Sequence, residues 1–162
     1  MQQFIEELAN LIGGYIGNWW IAVVSAVPIV ELRLAIPLAI AFNVDPIETF
    51  FLAVLGNMIP VIPVILLGRQ VLLMLKRLKP FKKLAERIEA KTLSNKHKVE
   101  KYSMLGLCIL VAIPLPGTGA WTGALLAALM DIRIKHAFPA IFIGVIFAAI
   151  VVTLISCGVA SI

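Results

Sequence analysis

The fold is decided by Ala26–Pro37, which reads AVPIVELRLAIP. This stretch places a carboxylate, Glu31, and a guanidinium, Arg33, between two prolines inside a mostly apolar run from Leu11 to Phe42. A charge at bilayer depth costs at least ~2.5–3.5 kcal/mol, so it persists only where it faces protein or water and has a partner. The run is too long for one upright span of ~20 residues, so we expect the break to divide it into two arms of half a bilayer each.

The composition excludes an ordinary soluble domain. Of the 162 residues, 61% are hydrophobic, and the mean hydropathy is +1.02. In soluble domains the apolar share is about 45–50%. We therefore predict an all-α integral membrane protein with a single transmembrane domain over residues 1–162.

A second break has the sequence IPLPGTG at Ile113–Gly119 and interrupts the apolar segment Met104–Met130. Two broken hydrophobic segments in corresponding places indicate a transport site near the membrane midplane. Two further segments, Ile47–Leu75 and His136–Ile162, are long enough to cross the membrane, and Pro60 and Pro63 should kink the first. Residues 2–17 are mildly amphipathic and predict an N-terminal helix at the membrane surface.

The chain also contains a weak internal repeat. A shift of 86 residues aligns a first repeat, about 18–75, with a second, about 104–162, without a gap. Three features coincide under this shift: Ala26-Val27-Pro28 with Ala112-Ile113-Pro114, Glu31-x-Arg33 with Gly117-x-Gly119, and Asp45 with Asp131. The order of features is the same in both halves: a broken segment, an acidic turn and a full span.

Positive charge is concentrated between the two halves. Residues 69–101 contain eleven Lys/Arg and three Glu, whereas the rest of the chain has three Lys/Arg and six Asp/Glu. Cytoplasmic loops carry an excess of Lys and Arg, so we place the basic linker 76–101 on the cytoplasmic side. Phe81, Leu84, Ala85 and Ile88 form an apolar stripe at helical spacing and predict a helix there, either lying on the anionic leaflet or acting as a solvated connector. Because the block lacks a recognition motif and interleaved aromatics, we expect no nucleic-acid partner.

This sidedness predicts how the broken segments enter the membrane. The first full span puts the turn Asn43–Pro46 outside, and the basic residues of the turn Asp131–Lys135 favour the inside. Both ends of Met104–Met130 are then cytoplasmic, so this segment dips in and returns, and the first broken segment does the same from outside. The two re-entrant hairpins form an inverted repeat. The alternative is four ordinary spans.

The hairpin tips predict a site for an anion. Thr118 can cap the arm that begins near Ala120, and Gly117 and Gly119 let a ligand approach the backbone closely. Arg33 lies beside the start of the other arm. Two helix N-termini and one arginine favour a phosphate or a carboxylate, whether on a small molecule or on a lipid headgroup.

Glu31 is the candidate proton carrier of that site. Burial favours its protonated form, whereas Arg33 favours its charged form, so the two effects oppose each other. The alternative is a structural Glu31–Arg33 pair that holds the bend. Residues i and i+2 project about 200° apart on a helix, so a direct pair requires a non-helical bend. The leading function is therefore a proton-coupled secondary transporter or lipid flippase for an anion.

The remaining candidate site residues are weaker. They are Pro37, Asn57, Pro114, Pro116 and Trp121. We expect Asn57 to face the bundle and bond another helix, and Trp121 either to line the site or to pack. The sequence has no nucleophile–base set, no phosphate-binding glycine motif and no metal-ligand spacing, so we expect no enzymatic activity, no cofactor and no metal.

Three stretches carry a family resemblance: ELRLAIPL at 31–38, GNMIP at 56–60 and PLPGTGAWTG at 114–123. Together they resemble the small multidrug export protein family, which is distantly similar to the DedA superfamily. The resemblance implies paired re-entrant hairpins, the plasma (inner) membrane of a prokaryote, and proton-coupled transport of a lipid-linked phosphate such as undecaprenyl phosphate. DedA proteins carry acidic residues in one hairpin and arginines in the other, whereas Pro114–Met130 has no charge here.

Two other functions stay open from the sequence. One is export of small cationic or amphipathic compounds, with Glu31 as the counter-charge. The other is a membrane scaffold that transports nothing. Because two full spans leave little room to enclose a pathway, we also expect a homodimer.

Overall fold

The computed structural model describes residues 17–28, 30–77, 82–93, 104–113 and 118–160, without the side chains of residues 69, 75, 92 and 160. No strand occurs within these ranges, so the prediction of an all-α fold is confirmed for them. The predicted surface helix over 2–17 lies outside them, except for its last residue. After a 3-10 turn over Gly17–Trp19, the helices are α1 (Trp20–Ala26), α2 (Glu31–Ala41), α3 (Pro46–Met58), α4 (Val61–Arg77), α5 (Lys82–Leu93), α6 (Met104–Ala112), α7 (Ala120–Leu129) and α8 (Ile134–Ala160).

The chain divides into two compact units. The first unit contains the residues up to Asn57 together with those from Ala149 onward, and the second unit contains Met58–Ala148. Helices α1, α2 and nearly all of α3 therefore belong to the first unit, and α4 to α7 belong to the second. Helix α8 contributes its beginning to the second unit and its end to the first.

Within the part of the chain that the structure describes, two segments are long and apolar enough to cross a membrane, Pro46–Gly68 and Ile134–Val159. They lie where the sequence predicts the full spans. The first contains a break at Ile59 and Pro60, between the end of α3 and the start of α4. Pro60 has no N–H to donate to the carbonyl of residue 56, which explains why the predicted kink is an interruption of the helix.

The first broken segment folds back on itself. Helices α1 and α2 pack against each other, and the rings of Trp20 and Phe42 meet edge to face with centroids 6.1 Å apart. The chain therefore enters and leaves this hairpin at the same end. With 7 and 11 residues, the arms are about 10 and 16 Å long, well short of the ~30 Å hydrocarbon core. The break therefore divides the run into two short helices, and their re-entrant placement in a bilayer stays a prediction.

The second broken segment has arms of similar size. Helices α6 and α7, with 9 and 10 residues, are in contact. A Cβ on Gly123 of α7 would lie 2.6 Å from the Val111 side chain and 3.7 Å from that of Leu107, both on α6. Gly123 therefore lets the two arms approach closely.

The same turn follows the second arm of each hairpin. After α2, Asn43 adopts a left-handed φ of 59° and the Val44 N–H donates to the Ala39 carbonyl at 3.0 Å. After α7, Asp131 adopts a φ of 54° and the Ile132 N–H donates to the Ala127 carbonyl at 2.9 Å. The three positions of the first turn, 39, 43 and 44, thus correspond to positions 127, 131 and 132 of the second turn, each 88 residues later.

The predicted ungapped shift of 86 is therefore wrong beyond the first arm. It holds for the ends of α1 and α6, at Ala26 and Ala112, but the second break is longer than the first. With the shift of 88, Glu31 matches Gly119 and not Gly117. Asp131 matches Asn43 and not Asp45.

A glycine contact also recurs in both halves. A Cβ on Gly56 of α3 would lie 2.1 Å from the carbonyl oxygen of Ala22 on α1. A Cβ on Gly144 of α8 would lie 2.7 Å from the carbonyl oxygen of Cys108 on α6. Gly144 matches Gly56 under the shift of 88, and Cys108 matches Ala22 under the shift of 86. In each half the long helix and the first arm thus meet too closely for any side chain.

Residues 82–93 of the basic linker form a helix, as predicted. Helix α5 contacts α4 and α7, with Ala85 fully buried and Leu84 exposed. Lys76 of α4 and Glu89 of α5 form an ion pair. These contacts attach α5 to the second unit; Phe81, also part of the predicted stripe, lies outside the described residues.

Candidate functional site

Glu31 begins helix α2 in a backbone conformation that L-residues rarely adopt. Its φ is +50°, which costs roughly 1–2 kcal/mol for a residue with a Cβ. Its N–H donates to the Val27 carbonyl at 3.0 Å, which closes the turn over the break. The residue is only 6% exposed. A strained, buried carboxylate at the tip of a hairpin is the kind of outlier that marks functional sites.

Arg33 is the ion-pair partner of this carboxylate. Its Nη1 lies 3.8 Å from Oε2 of Glu31, and the side chains are 19% and 8% exposed. Residues i and i+2 project about 200° apart on a helix, and the left-handed backbone at Glu31 is the non-helical bend that a direct pair requires. Leu32, Ala35 and Ile36 on the same helix are also buried.

Pro37 changes the backbone one turn beyond the pair. It lies inside α2 and has no N–H to donate to the carbonyl of Arg33 four positions earlier. The predicted site residue thus opens the helix next to the charged pair. Its role in binding stays a prediction.

Asn57 lies near the end of α3 and is 1% exposed, so it faces the interior as predicted. Its Oδ1 has no hydrogen-bond partner within the described ranges, so the bond predicted to another helix is not formed by this oxygen. The next residue back is Gly56, which touches Ala22 of α1. Asn57 therefore lies beside the contact between α3 and α1.

Two buried hydroxyls were not predicted from the sequence as site residues. Ser25 of α1 and Thr49 of α3 are fully buried, and their oxygens also have no partner among the described residues. A signal for Thr49 was available. Thr49, Ala53 and Asn57 follow each other at intervals of four, so they share one helix face.

The predicted residues of the second tip are described only in part. Thr118 is buried, and its hydroxyl donates to the Ile113 carbonyl at 2.8 Å across the break. Helix α7 begins at Ala120, as predicted, after an extended Gly119. The capping role of Thr118 stays a prediction, and Trp121 is half-buried on the first turn of α7. Pro114, Pro116 and Gly117 lie outside the described residues.

The predicted site residues thus fall into two groups. Glu31, Arg33, Pro37 and Asn57 belong to the first unit, whereas Thr118, Gly119 and Trp121 belong to the second. The predicted meeting of the two tips stays a prediction. Within the described ranges, no three His, Cys, Asp or Glu side chains are grouped so that they could hold a metal ion.

The family model described as "Putative small multi-drug export protein" matches residues 31–151. The chain belongs to this family. The matched region includes the Glu31–Arg33 pair, Asn57 and both turns. No curated protein matches the chain, and no solved structure matches it. The resemblance to DedA proteins is not shown by these comparisons. Family membership and the two long apolar segments together indicate a membrane location.

Proposed function

We propose that this protein is a secondary membrane transporter, and that Glu31 carries the coupling proton at a site shared with Arg33. The observation that carries the proposal is the buried ion pair in a strained bend between two half-length helices. Ionisable residues within membrane segments mark substrate pathways and proton relays. Broken helices are where such sites form in transporters.

The pair suggests a way to couple a proton to an anion. With Glu31 charged, the pair is neutral and offers an anion little. A proton on Glu31 removes the negative charge beside Arg33, so the guanidinium fork can attract a phosphate or carboxylate more strongly. By linkage, each ligand then strengthens binding of the other, so proton and anion move together. The substrate class we favour is therefore an anion, small or lipid-linked.

The membrane arrangement belongs to the same proposal. Each hairpin has arms too short to cross, and the first hairpin enters and leaves at one end. We place the two hairpins in opposite leaflets, as an inverted repeat, in the plasma membrane of a prokaryote. The four cationic side chains of α5 (Lys82, Lys83, Arg87 and Lys91) then face the anionic cytoplasmic leaflet. A homodimer would supply the walls that two long helices cannot supply alone.

The family description supports a second candidate, export of small cationic compounds. In that case the charged form of Glu31 binds the cation, and the proton competes with it for the same carboxylate. Competition gives exchange of a proton for the cation, whereas the anion model gives joint movement. The two candidates therefore differ in the sign of proton linkage.

This sign can be measured on the purified protein in weakly buffered detergent solution. The probes are inorganic phosphate and tetraphenylphosphonium, and a pH indicator records proton uptake or release when each is added. Uptake with phosphate that disappears in both Arg33→Gln and Glu31→Gln supports the anion model. Release with tetraphenylphosphonium that disappears only in Glu31→Gln supports the cation model.

Matched controls use charged residues outside the pair. Glu86 is exposed on α5, and Arg133 is exposed in the turn before α8. Glu86→Gln and Arg133→Gln should retain the proton signal of the native chain. If neither probe changes proton binding, and Glu31→Gln alters only thermal stability, the protein is a scaffold and the transport proposal is wrong.

A further inference from the structure

The interior of the first unit contains a set of oxygens without partners. Among the described residues, four uncharged side-chain oxygens are buried and make no hydrogen bond: Ser25 Oγ, Thr49 Oγ1, Asn57 Oδ1 and Thr153 Oγ1. All four belong to the first unit. Buried polar groups in native proteins nearly always have a partner, and ordered water supplies it where protein does not.

Three of these oxygens are arranged in sequence toward Glu31. Thr49 lies in the first turn of α3, and Asn57 shares its face eight residues later. Gly56, beside Asn57, contacts Ala22 of α1, and Ser25 follows Ala22 on the same face of α1. Ser25 is one residue from the end of α1, so it and Glu31 flank the break. The oxygens therefore lead from the start of α3 to the hairpin tip.

The spacing favours water over a bound ion. Eight residues along a helix separate Thr49 and Asn57 by about 12 Å. Oxygens that far apart cannot share one coordination shell, in which metal–oxygen distances are about 2.3–2.6 Å for Ca²⁺. A row of water molecules can join them.

The second half shows that the fold itself does not require polar side chains here. Ser25 matches Val111 under the shift of 86, and Thr49 and Asn57 match Ala137 and Val145 under the shift of 88. These three matching residues are apolar and no more than 1% exposed. The same backbone positions are therefore packed with apolar side chains in one half and carry unpartnered oxygens in the other.

We propose that Ser25, Thr49 and Asn57 line a hydrated path through which Glu31 exchanges protons with the aqueous phase. The proton part rests on the proposed function of Glu31, whereas the hydration does not. Beyond the Glu31–Arg33 pair, the acidic and basic side chains of the described first unit are the exposed Asp45 and Glu48, next to Thr49. The negative charge of these two carboxylates attracts protons to the end of the path where Thr49 lies.

Hydration is tested by cysteine labelling in the full chain. The two native thiols are removed (C108A and C157A), and single cysteines replace Ser25, Thr49 or Asn57. Matched variants place the cysteine at Val111, Ala137 or Val145. A water-soluble methanethiosulfonate reacts with thiolate, and a thiol in dry apolar surroundings stays protonated. We expect the first set to react at least ~10 times faster than the second. A thiol whose pKa is lower by about one unit has about ten times more thiolate at the same pH.

Equal labelling rates in the two sets, whether fast or slow, would overturn the hydrated path. Variants are compared only where gel filtration shows a monodisperse protein. Because each set has three positions, the comparison still holds if one variant does not fold.

The link to Glu31 is tested by infrared spectroscopy of its carboxyl group during deuterium exchange. Asn57→Val should slow that exchange about tenfold or more. The control is Ser156→Ala, which removes a hydroxyl that already donates to the Val152 carbonyl at 2.8 Å, and should leave the exchange unchanged. If the cysteines label fast but Asn57→Val does not slow the exchange, the path to Glu31 is refuted and the transport role is not.

If labelling and exchange behave as expected but Glu31→Gln still transports with proton coupling, the transport role of Glu31 is refuted and the hydrated path is not.

Discussion

The two halves of this chain share a backbone plan and differ in polarity. Each half has a hairpin of short arms, the same left-handed turn after it, and a glycine that touches the first arm. The first half places a charged pair and three unpartnered oxygens within this plan, whereas the second has apolar residues or glycine at most of the matching positions. Because the second half forms the plan without those polar groups, the plan itself does not require them.

The largest effect we expect is on the glycine contact that both halves share. Gly56→Ala should abolish the folded protein or come close to it, because the new methyl group would lie within 2.6 Å of three backbone atoms of Ala22. Gly144→Ala should destabilise by about 1–3 kcal/mol, the usual effect of overpacking, since two of the three atoms it meets belong to the Val111 side chain.

Thermal unfolding in detergent, followed by fluorescence-detected gel filtration, measures both changes. Gly158→Ala is the control, because nothing lies within 4 Å of its added methyl group. Equal unfolding temperatures for Gly56→Ala and Gly158→Ala would contradict the shared contact.

The next largest effect comes from exchanging residues between the halves. Val145→Asn should destabilise by roughly 1–3 kcal/mol, because it buries an amide in a site occupied by an apolar side chain. Asn57→Val should cost less stability than Val145→Asn, because valine already occupies the matching buried position of the second half and the oxygen removed has no protein partner within the described ranges. The same unfolding assay applies. A large loss of stability in Asn57→Val would show that its polar group supports the fold.

A smaller effect separates strain from charge at Glu31. Its match in the second half is Gly119, and glycine adopts a positive φ without a steric penalty. Glu31→Gly should therefore unfold at a higher temperature than Glu31→Gln, by about 1 kcal/mol in free energy. Both variants should lose the proton signal. An equal stability of the two would mean that the bend at Glu31 stores no strain.

The smallest effect concerns the ion pair between Lys76 and Glu89 in the second unit. Their side chains are 30% and 28% exposed, and pairs of this kind typically contribute about 0.2–1 kcal/mol. Lys76→Ala should lower stability by that amount at low salt and by less at high salt. Lys135→Ala, at an exposed position of α8, is the control. A salt-independent loss in Lys76→Ala would mean that packing, and not charge, attaches α5.

The sequence was sufficient for features set by covalent geometry and solvation. Proline has no N–H and charge is excluded from lipid, so the helix breaks that follow Ala26 and Ala112 could be predicted from the sequence. The two long apolar segments followed from length alone.

Other features depend on contacts that one sequence does not contain. The shift changes from 86 to 88 because the second break is longer, and too few identities remain to place the gap. Whether Ser25 or Asn57 has a partner depends on which side chains from other helices come near. A hydroxyl in an apolar helix looks the same in sequence whether it is satisfied or not.

The glycine contact has a consequence for the history of the molecule. A methyl or larger group fits between Gly56 and Ala22, or between Gly144 and Cys108, only if neighbouring atoms shift, so substitution at these two glycines costs stability. The surrounding residues are free to diverge. Two matching glycines in halves that are otherwise barely alike are the trace that an ancient gene duplication would leave.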